Sequence, residues 1–198
     1  MSTDRTDQPL IRSLIRLLTR AERLEALPRT GWLVCGVRHP ESVASHSYMV
    51  TVVALFLADQ IDAEVDVERL LRIAVVHDLP EALTTDLPRP VKELIGRDRC
   101  REVESEAAAR LFEDLPRWRE SYEEYAAGES LEARLVKGAD RIQMVAKALQ
   151  YHAQNGAAVD RFFEDLDATD LGLPVVQAIL EELAKEYRSG TWETGDFS

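Results

Sequence analysis

Between residues 77 and 86 the chain places four side chains able to bind a metal or move a proton: His77, Asp78, Glu81 and Asp86. The run leading into them, Leu70-Leu71-Arg72-Ile73-Ala74-Val75-Val76, reads as buried core, so the imidazole and the first carboxylate arrive at the end of an apolar segment. Buried polar groups need partners. Adjacent positions on a helix point about 100° apart, so His77 and Asp78 converge on one point only near a helix end or around an ion. A divalent cation fits that description. For an isolated His-Asp pair the alternative is a satisfied core histidine beside an aspartate that caps the next turn.

Two distant residues extend the set. His46 lies in the first two turns of a segment with apolar residues at Val43, Val50, Val53, Ala54 and Leu57, which is helical spacing. Asp140 interrupts the apolar face of a later helix that includes Leu131, Leu135, Val136, Ile142, Ala146 and Leu149, where a carboxylate is costly without a cation or hydrogen-bond donors. His46, His77, Asp78 and Asp140 then form a nitrogen and oxygen donor set drawn from three helices. Such a set suits Mn, Co, Zn, Ni or Fe(II) better than calcium. Open positions on a five- or six-coordinate ion would accept a water and a phosphate oxygen. Glu81 follows Asp78 by one turn, within reach of that water, or else is a surface residue of a fraying helix end. His39 and His152 read as solvated or structural.

The elements that must carry these residues are helices with short connections. Residues 1 to 8 form a loose tail. Pro9 to about Leu27 carries Leu10, Ile11, Leu14, Leu17, Leu18 and Leu24 on one face, and Pro28 ends it. Arg29 to Arg38 reads as a loop holding an exposed Trp32. Ser42 or a neighbour starts a helix that runs to about Ile61, and Asp66 caps the helix that delivers His77. Pro80, Pro88 and Pro90 bracket a loop in which Thr84, Thr85 and Asp86 face a ligand or cap a turn. Helical patterns follow over Asp98 to Leu115, with Ala107, Ala108, Leu111 and Phe112 facing inward. Pro116 interrupts the chain there, and Trp118, Tyr122 and Tyr125 recur at helical spacing as core or a subunit contact. Gly128 precedes the Asp140 helix and Asn155-Gly156 ends it. Amphipathic segments over about 158 to 166 and 174 to 188 complete an all-α bundle, with residues 191 to 198 as a second tail. No strand alternation, repeat or linker divides the chain, so residues 9 to 190 read as a single domain.

Composition narrows the function. With 198 residues, 45% hydrophobic and 30% charged, the chain can bury one substantial core. A formal charge of −12 argues against nucleic acid or anionic membrane as a partner. The N-terminal residues lack the apolar stretch of a signal peptide, which places the protein in the cytoplasm, and Cys35 and Cys100 are too few for a disulfide framework or a cysteine zinc site.

Five blocks, in order, resemble one known family. They are Arg29-Thr30-Gly31-Trp32, Pro40-Glu41-Ser42-Val43-Ala44-Ser45-His46, His77-Asp78-Leu79-Pro80-Glu81-Ala82-Leu83, Asp86-Leu87-Pro88 and Lys137-Gly138-Ala139-Asp140. Together they resemble the HD-domain 5'-deoxynucleotidases of the HD superfamily of metal-dependent phosphohydrolases. The resemblance implies an HD-type helical bundle, and the chain is expected to form a homodimer. The resemblance also implies a metal held by His46, His77, Asp78 and Asp140, and hydrolysis of deoxyribonucleoside monophosphates. It assigns Glu81 to water activation and Asp86 to the leaving group or the metal's water. Trp32 restricts the sugar side, and Asp86, Leu87, Pro88 and Arg89 line the nucleotide pocket. Some bacterial members carry an arginine where this chain has Gly31, which leaves Arg29 or Arg38 to orient the phosphate. Other HD phosphohydrolases, acting on cyclic or triphosphate nucleotides or on another small phosphomonoester, and a nucleotide-binding regulatory protein are the alternatives.

Overall fold

The computed structural model describes residues 8–164, 166, 171–190 and 192. The expected tails lie outside these residues, except Gln8, which opens the first helix, and Trp192. Among the described residues the chain is all-α, and the one extended pairing is an isolated antiparallel bridge between Pro28 and Ser42.

Three helices build the frame of the site. Helix α4 (Val43–Asp59) is capped by the Ser42 hydroxyl, which accepts from the Ser45 amide, and α5 (Val67–Val76) is capped in the same way by Asp66. Helix α10 (Leu131–Asn155) starts on a Ser130 cap and stops at Gly156, whose left-handed φ of 64° a residue with a Cβ adopts at a cost. These helices pack on one another and on α11 (Pro174–Ser189). Val50, Ala54, Leu57, Leu70, Ile73, Leu135, Val136 and Leu180 make a core without solvent contact. Close packing puts α11 hard against α10 at Gly138, where an added Cβ would sit 2.7 Å from a Val176 methyl carbon. That approach occurs two residues before Asp140 and holds its turn of helix in place.

A second apolar cluster joins the short α2 (Arg23–Ala26), α8 (Arg97–Leu111) and α9 (Pro116–Ala127) through Leu24, Val43, Val76, Leu79, Leu111, Phe112 and Tyr122. The inward residues expected on α8 are all buried. A third cluster, Trp32, Val37, Ala148, Tyr151 and Val159, closes the other end of α10.

The structure departs from the sequence expectations at four places. The first helix, α1 (Gln8–Ala21), breaks at Glu22, and none of its residues is buried; of the apolar side chains expected to face a core, only Leu24 on α2 does so. Leu10, Leu14 and Leu18 stay more than half exposed because no described element covers them. The segment 29 to 38 is not wholly loop, since it contains α3 (Thr30–Val34). Residues 80 to 90 likewise contain the one-turn α6 (Glu81–Thr84) and the start of α7 (Arg89–Ile95). The described residues of 158 to 166 form no α-helix and include a 3-10 turn at Asp160–Phe162.

Helix α4 is apolar around most of its circumference. One side enters the core, while Tyr48, Met49, Val52, Leu55 and Phe56 point outward and remain exposed.

Candidate metal centre

His46 comes from the second turn of α4, His77 and Asp78 from the end of α5, and Asp140 from the middle of α10. The core helices bring them to one point. His46 Nε2 lies 3.2 Å from Asp140 Oδ1 and 3.5 Å from Asp78 Oδ2, and His77 Nε2 lies 3.4 Å from the same Asp78 oxygen. Ligand atoms of His46, His77 and Asp140 all fall within 4.8 Å of one another, a spacing that could hold one ion.

Both imidazoles are held by their other nitrogen. His77 Nδ1 donates to the Ala74 carbonyl oxygen at 2.8 Å, and His46 Nδ1 is 2.6 Å from Gln143 Oε1. The two Nε2 atoms are buried without hydrogen-bond partners. Orphaned buried nitrogens are costly, and histidines anchored through Nδ1 with bare Nε2 atoms aimed at carboxylates form the arrangement a divalent cation needs. The residues therefore fit a metal ion.

Arg29 crosses the mouth of this cluster. Its guanidinium donates to Asp78 at 3.2 Å and to Asp86 at 3.0 Å, and lies 4.0 Å from Glu81. Burial works against its charge, but the carboxylates of Asp78, Asp86, Asp140 and Glu81 more than offset this and raise its pKa above the ordinary range. The segment bearing Arg29 is tied to the start of α4 by the Arg29 amide on the Glu41 carbonyl at 3.0 Å and the Val43 amide on the Leu27 carbonyl at 2.9 Å. Arg38 is exposed and does not line the cavity at the cluster.

Charge is distributed unevenly among the acids. Burial disfavours ionised Asp78 and Asp140, yet the facing histidines and Arg29 prevail and lower both below the usual carboxylate value. Burial also opposes a charge on His46, as does Arg29, but Asp140 and Asp78 leave its pKa raised. Glu81 is the exception. Burial first, then the charges of Asp78 and Asp86, push it up to about 10 against the pull of Arg29, and its Oε2 has no hydrogen-bond partner. A cation at the histidines acts on Glu81 in the opposite sense.

Asp86 is held by donors on one side. The Thr30 amide donates to its Oδ2 at 2.7 Å, and the Thr30 hydroxyl donates to the same oxygen at 2.5 Å. Just before it, Thr85 has φ 65° and ψ 166°, a region otherwise left to glycine, and among the described residues it is the one non-glycine at positive φ. Strain of this kind persists where the surroundings dictate the backbone, here the bonds that fix Asp86.

The cluster opens into a cavity of about 690 Å³. His77, Asp78, Glu81, Asp86, Leu87, Pro88 and Arg89 line it, together with Arg29 and Asp140. Trp32 also lines it but is not exposed: it is 2% accessible, packed on Tyr151 and Phe162 with ring centroids 5.3 and 4.5 Å away, and its Nε1 donates to Glu41 Oε1. Sequence reasoning missed several contributors. Tyr122 and Tyr125, which pack in the apolar clusters as their spacing indicated, also reach the cavity, and Tyr125 meets His77 edge-on at 5.5 Å. Gln143 was missed as well; its position three residues after Asp140, on the same face of α10, was the available signal.

Comparison with known proteins agrees with this geometry. Residues 21–171 match the HD domain. The chain is 31% identical to the human 5'-deoxynucleotidase HDDC2 over 88% of this chain and 86% of that protein. It is also 31% identical to the fission-yeast 5'-deoxynucleotidase hdd1 over 70% and 72%. A crystal structure from Pyrococcus horikoshii OT3 superposes with a TM-score of 0.75 at 33% identity, covering 86% of this chain and 98% of that one.

Proposed function

The chain belongs to the HD-domain family, and from that membership we propose that it removes the 5'-phosphate from deoxyribonucleoside monophosphates in a metal-dependent reaction. The observation that carries the reading is the pair of buried, unpartnered imidazole nitrogens facing Asp78 and Asp140, two carboxylates that line a cavity of about 690 Å³. That relatives sharing most of this chain are 5'-deoxynucleotidases supports the substrate class.

His46, His77, Asp78 and Asp140 would hold the ion, which their mixed donors suit to Mn, Co, Zn, Ni or Fe(II). When bound, such an ion supplies Lewis acidity toward the phosphate and lowers the pKa of a water. Glu81, with one oxygen free of partners, takes the proton from the attacking water. Arg29 spreads its guanidinium between Asp78 and Asp86 and is placed to meet the phosphate oxygens as the monoester enters. Asp86, anchored by Thr30, aids the leaving group or the attacking water, and the departing alkoxide takes up the proton that Glu81 holds. Trp32, stiffened by its aromatic neighbours, walls the sugar side, and Leu87, Pro88 and Arg89 flank the nucleoside.

We place the protein in the cytoplasm, in keeping with two free buried cysteines, and no described helix is long and apolar enough to cross a membrane. The outward apolar faces of α4 and α1 are those of a homodimer, with a second copy rather than nucleic acid or lipid as the partner of an acidic chain. Phosphate release from deoxy- and ribonucleoside monophosphates, triphosphates and cyclic dinucleotides, with each metal and with chelator, tests the activity, while light scattering weighs the active species. Metal-dependent release favouring deoxynucleoside monophosphates, at the mass of two chains, is expected. Release confined to triphosphates or cyclic dinucleotides overturns the substrate assignment, and a monomer mass overturns the dimer.

A further inference from the structure

Glu41 sits in the turn before α4 and is not a metal-ligand candidate, yet its carboxylate is almost wholly buried. Its Oε1 accepts from Trp32 Nε1 at 3.1 Å, its Oε2 accepts from Gln143 Nε2 at 2.9 Å, and the Lys147 ammonium lies 3.7 Å from Oε2. Gln143 in turn meets His46 Nδ1 at 2.6 Å. The direction of every bond in this chain follows from its end. A carboxylate only accepts, so the Gln143 atom facing it must be the amide nitrogen. The amide oxygen must then face His46, and an amide oxygen also only accepts. Nδ1 therefore carries the proton, and in the neutral ring Nε2, the atom aimed at Asp78 and Asp140, keeps its lone pair.

We propose that Glu41 and Gln143 are positioning residues that set the tautomer and orientation of His46, so that its Nε2 is always the ligating atom. The proposal rests on the metal-centre reading above. The charge of Glu41 is what makes the chain directional. An amide at position 41 would offer one acceptor and one donor where two donors now meet it. With its NH2 toward Trp32, two N–H groups collide in a buried site. With its NH2 toward Gln143, the Gln143 amide turns over and presents its own NH2 to Nδ1. His46 would then have to accept there and carry its proton on Nε2, the tautomer that cannot bind a metal. Lys147 offsets the buried charge without entering the chain of bonds.

Two measurements on Glu41→Gln test this, with Gln143→Leu as a second variant. Zinc affinity is read by competition with a chromophoric chelator. The His46 tautomer is read from ring 15N shifts in metal-free protein, at a pH where the imidazole is neutral. Wild-type protein is expected to hold the proton on Nδ1. Glu41→Gln, which is isosteric and keeps the fold, is expected to move population to the Nε2 tautomer and weaken zinc by about 10- to 100-fold, the range for residues that orient a metal ligand. Gln143→Leu is expected to lose at least as much. A Glu41→Gln protein with zinc affinity within about twofold of wild type and an unchanged tautomer overturns the proposal even if its Tm falls, because Glu41 is then only structural. Wild-type protein that binds no ion defeats the metal reading instead, and the tautomer measurement still judges the bond chain by itself.

Discussion

His77 and His46 present the same atom to the same point, but the first is fixed by a carbonyl three residues earlier in its own helix. The second depends on an amide 97 residues away and on a carboxylate beyond that. The half of the site on α5 and α6 is local: His77, Asp78 and Glu81 fall within five residues, and backbone geometry alone orients the imidazole. The half shared by α4 and α10 exists only once the bundle has packed, and side chains do the orienting. A backbone carbonyl survives any substitution at Ala74 that keeps the helix, whereas the His46 arrangement can be undone by single changes at Glu41 or Gln143. The local half is therefore robust and the assembled half is adjustable.

The largest effect should come from the assembled half. Asp140→Asn keeps the shape of the side chain and removes the charge that faces both imidazoles. Metal content of the purified protein is expected to fall from near one ion per chain to near none, an affinity loss of at least about 100-fold, and phosphate release to background. Helical content should be unchanged, since Gly138 and the core around it set that turn. Wild-type metal content in the variant would confine the site to the local half.

Glu81→Gln probes the local half without touching a proposed ligand. Turnover is expected to drop by about 10²–10⁴-fold while metal is retained. The same variant carries a stability signature of opposite sign. In metal-free protein the Glu81 pKa lies near 10, above its ordinary 4.5, so between these values the folded chain holds a proton that the unfolded chain has released. The stability linked to that proton is complete below the unfolded value and is lost as pH rises toward the folded one. Glutamine escapes the loss. Metal-free Glu81→Gln is expected to melt roughly 2–8 °C higher than wild type at pH 8 and no higher at pH 4. Equal melting at both pH values would mean Glu81 is ionised and comfortable without a metal.

How legible the site was follows the same division. The local half could be read directly, because four chemical side chains fall in ten residues at the end of an apolar run. Asp140 was legible as a carboxylate on an apolar face. Gln143 was not, because a glutamine on a helix is unremarkable until a carboxylate is found facing its amide. The three frame helices α4, α5 and α10, and the caps at Ser42 and Asp66, follow from local chemistry. Burial does not. The pattern of α1 shows a face that wants covering but not what covers it, and Trp32 looked exposed beside a glycine because Tyr151 and Phe162, which bury it, lie more than a hundred residues on.

Trp32 gives the smallest and sharpest contrast, since it belongs both to the cavity wall and to the bonds that reach His46. Trp32→Ala is a blunt probe: emptying so large a buried ring costs about 3–5 kcal/mol, enough to obscure any change in sugar preference. Trp32→Phe removes the indole N–H and keeps an aromatic ring against Tyr151 and Phe162. It leaves Glu41 Oε1 without its donor, at about 1.5–3 kcal/mol for a bond to a charged group, and Tm should fall accordingly. Metal affinity should change by less than about threefold, because Glu41 Oε2 still accepts from Gln143 and the amide has no reason to turn over. The preference for deoxy over ribo monophosphates should persist, since a phenyl ring still denies a 2'-hydroxyl any partner on that wall. Zinc titration, melting and paired kinetics on this variant separate the roles. If zinc binding weakens as far as in Glu41→Gln, the direction of the bonds is set at the indole rather than at the carboxylate. If the sugar preference collapses while metal binding holds, the six-membered ring alone is too small to form the wall.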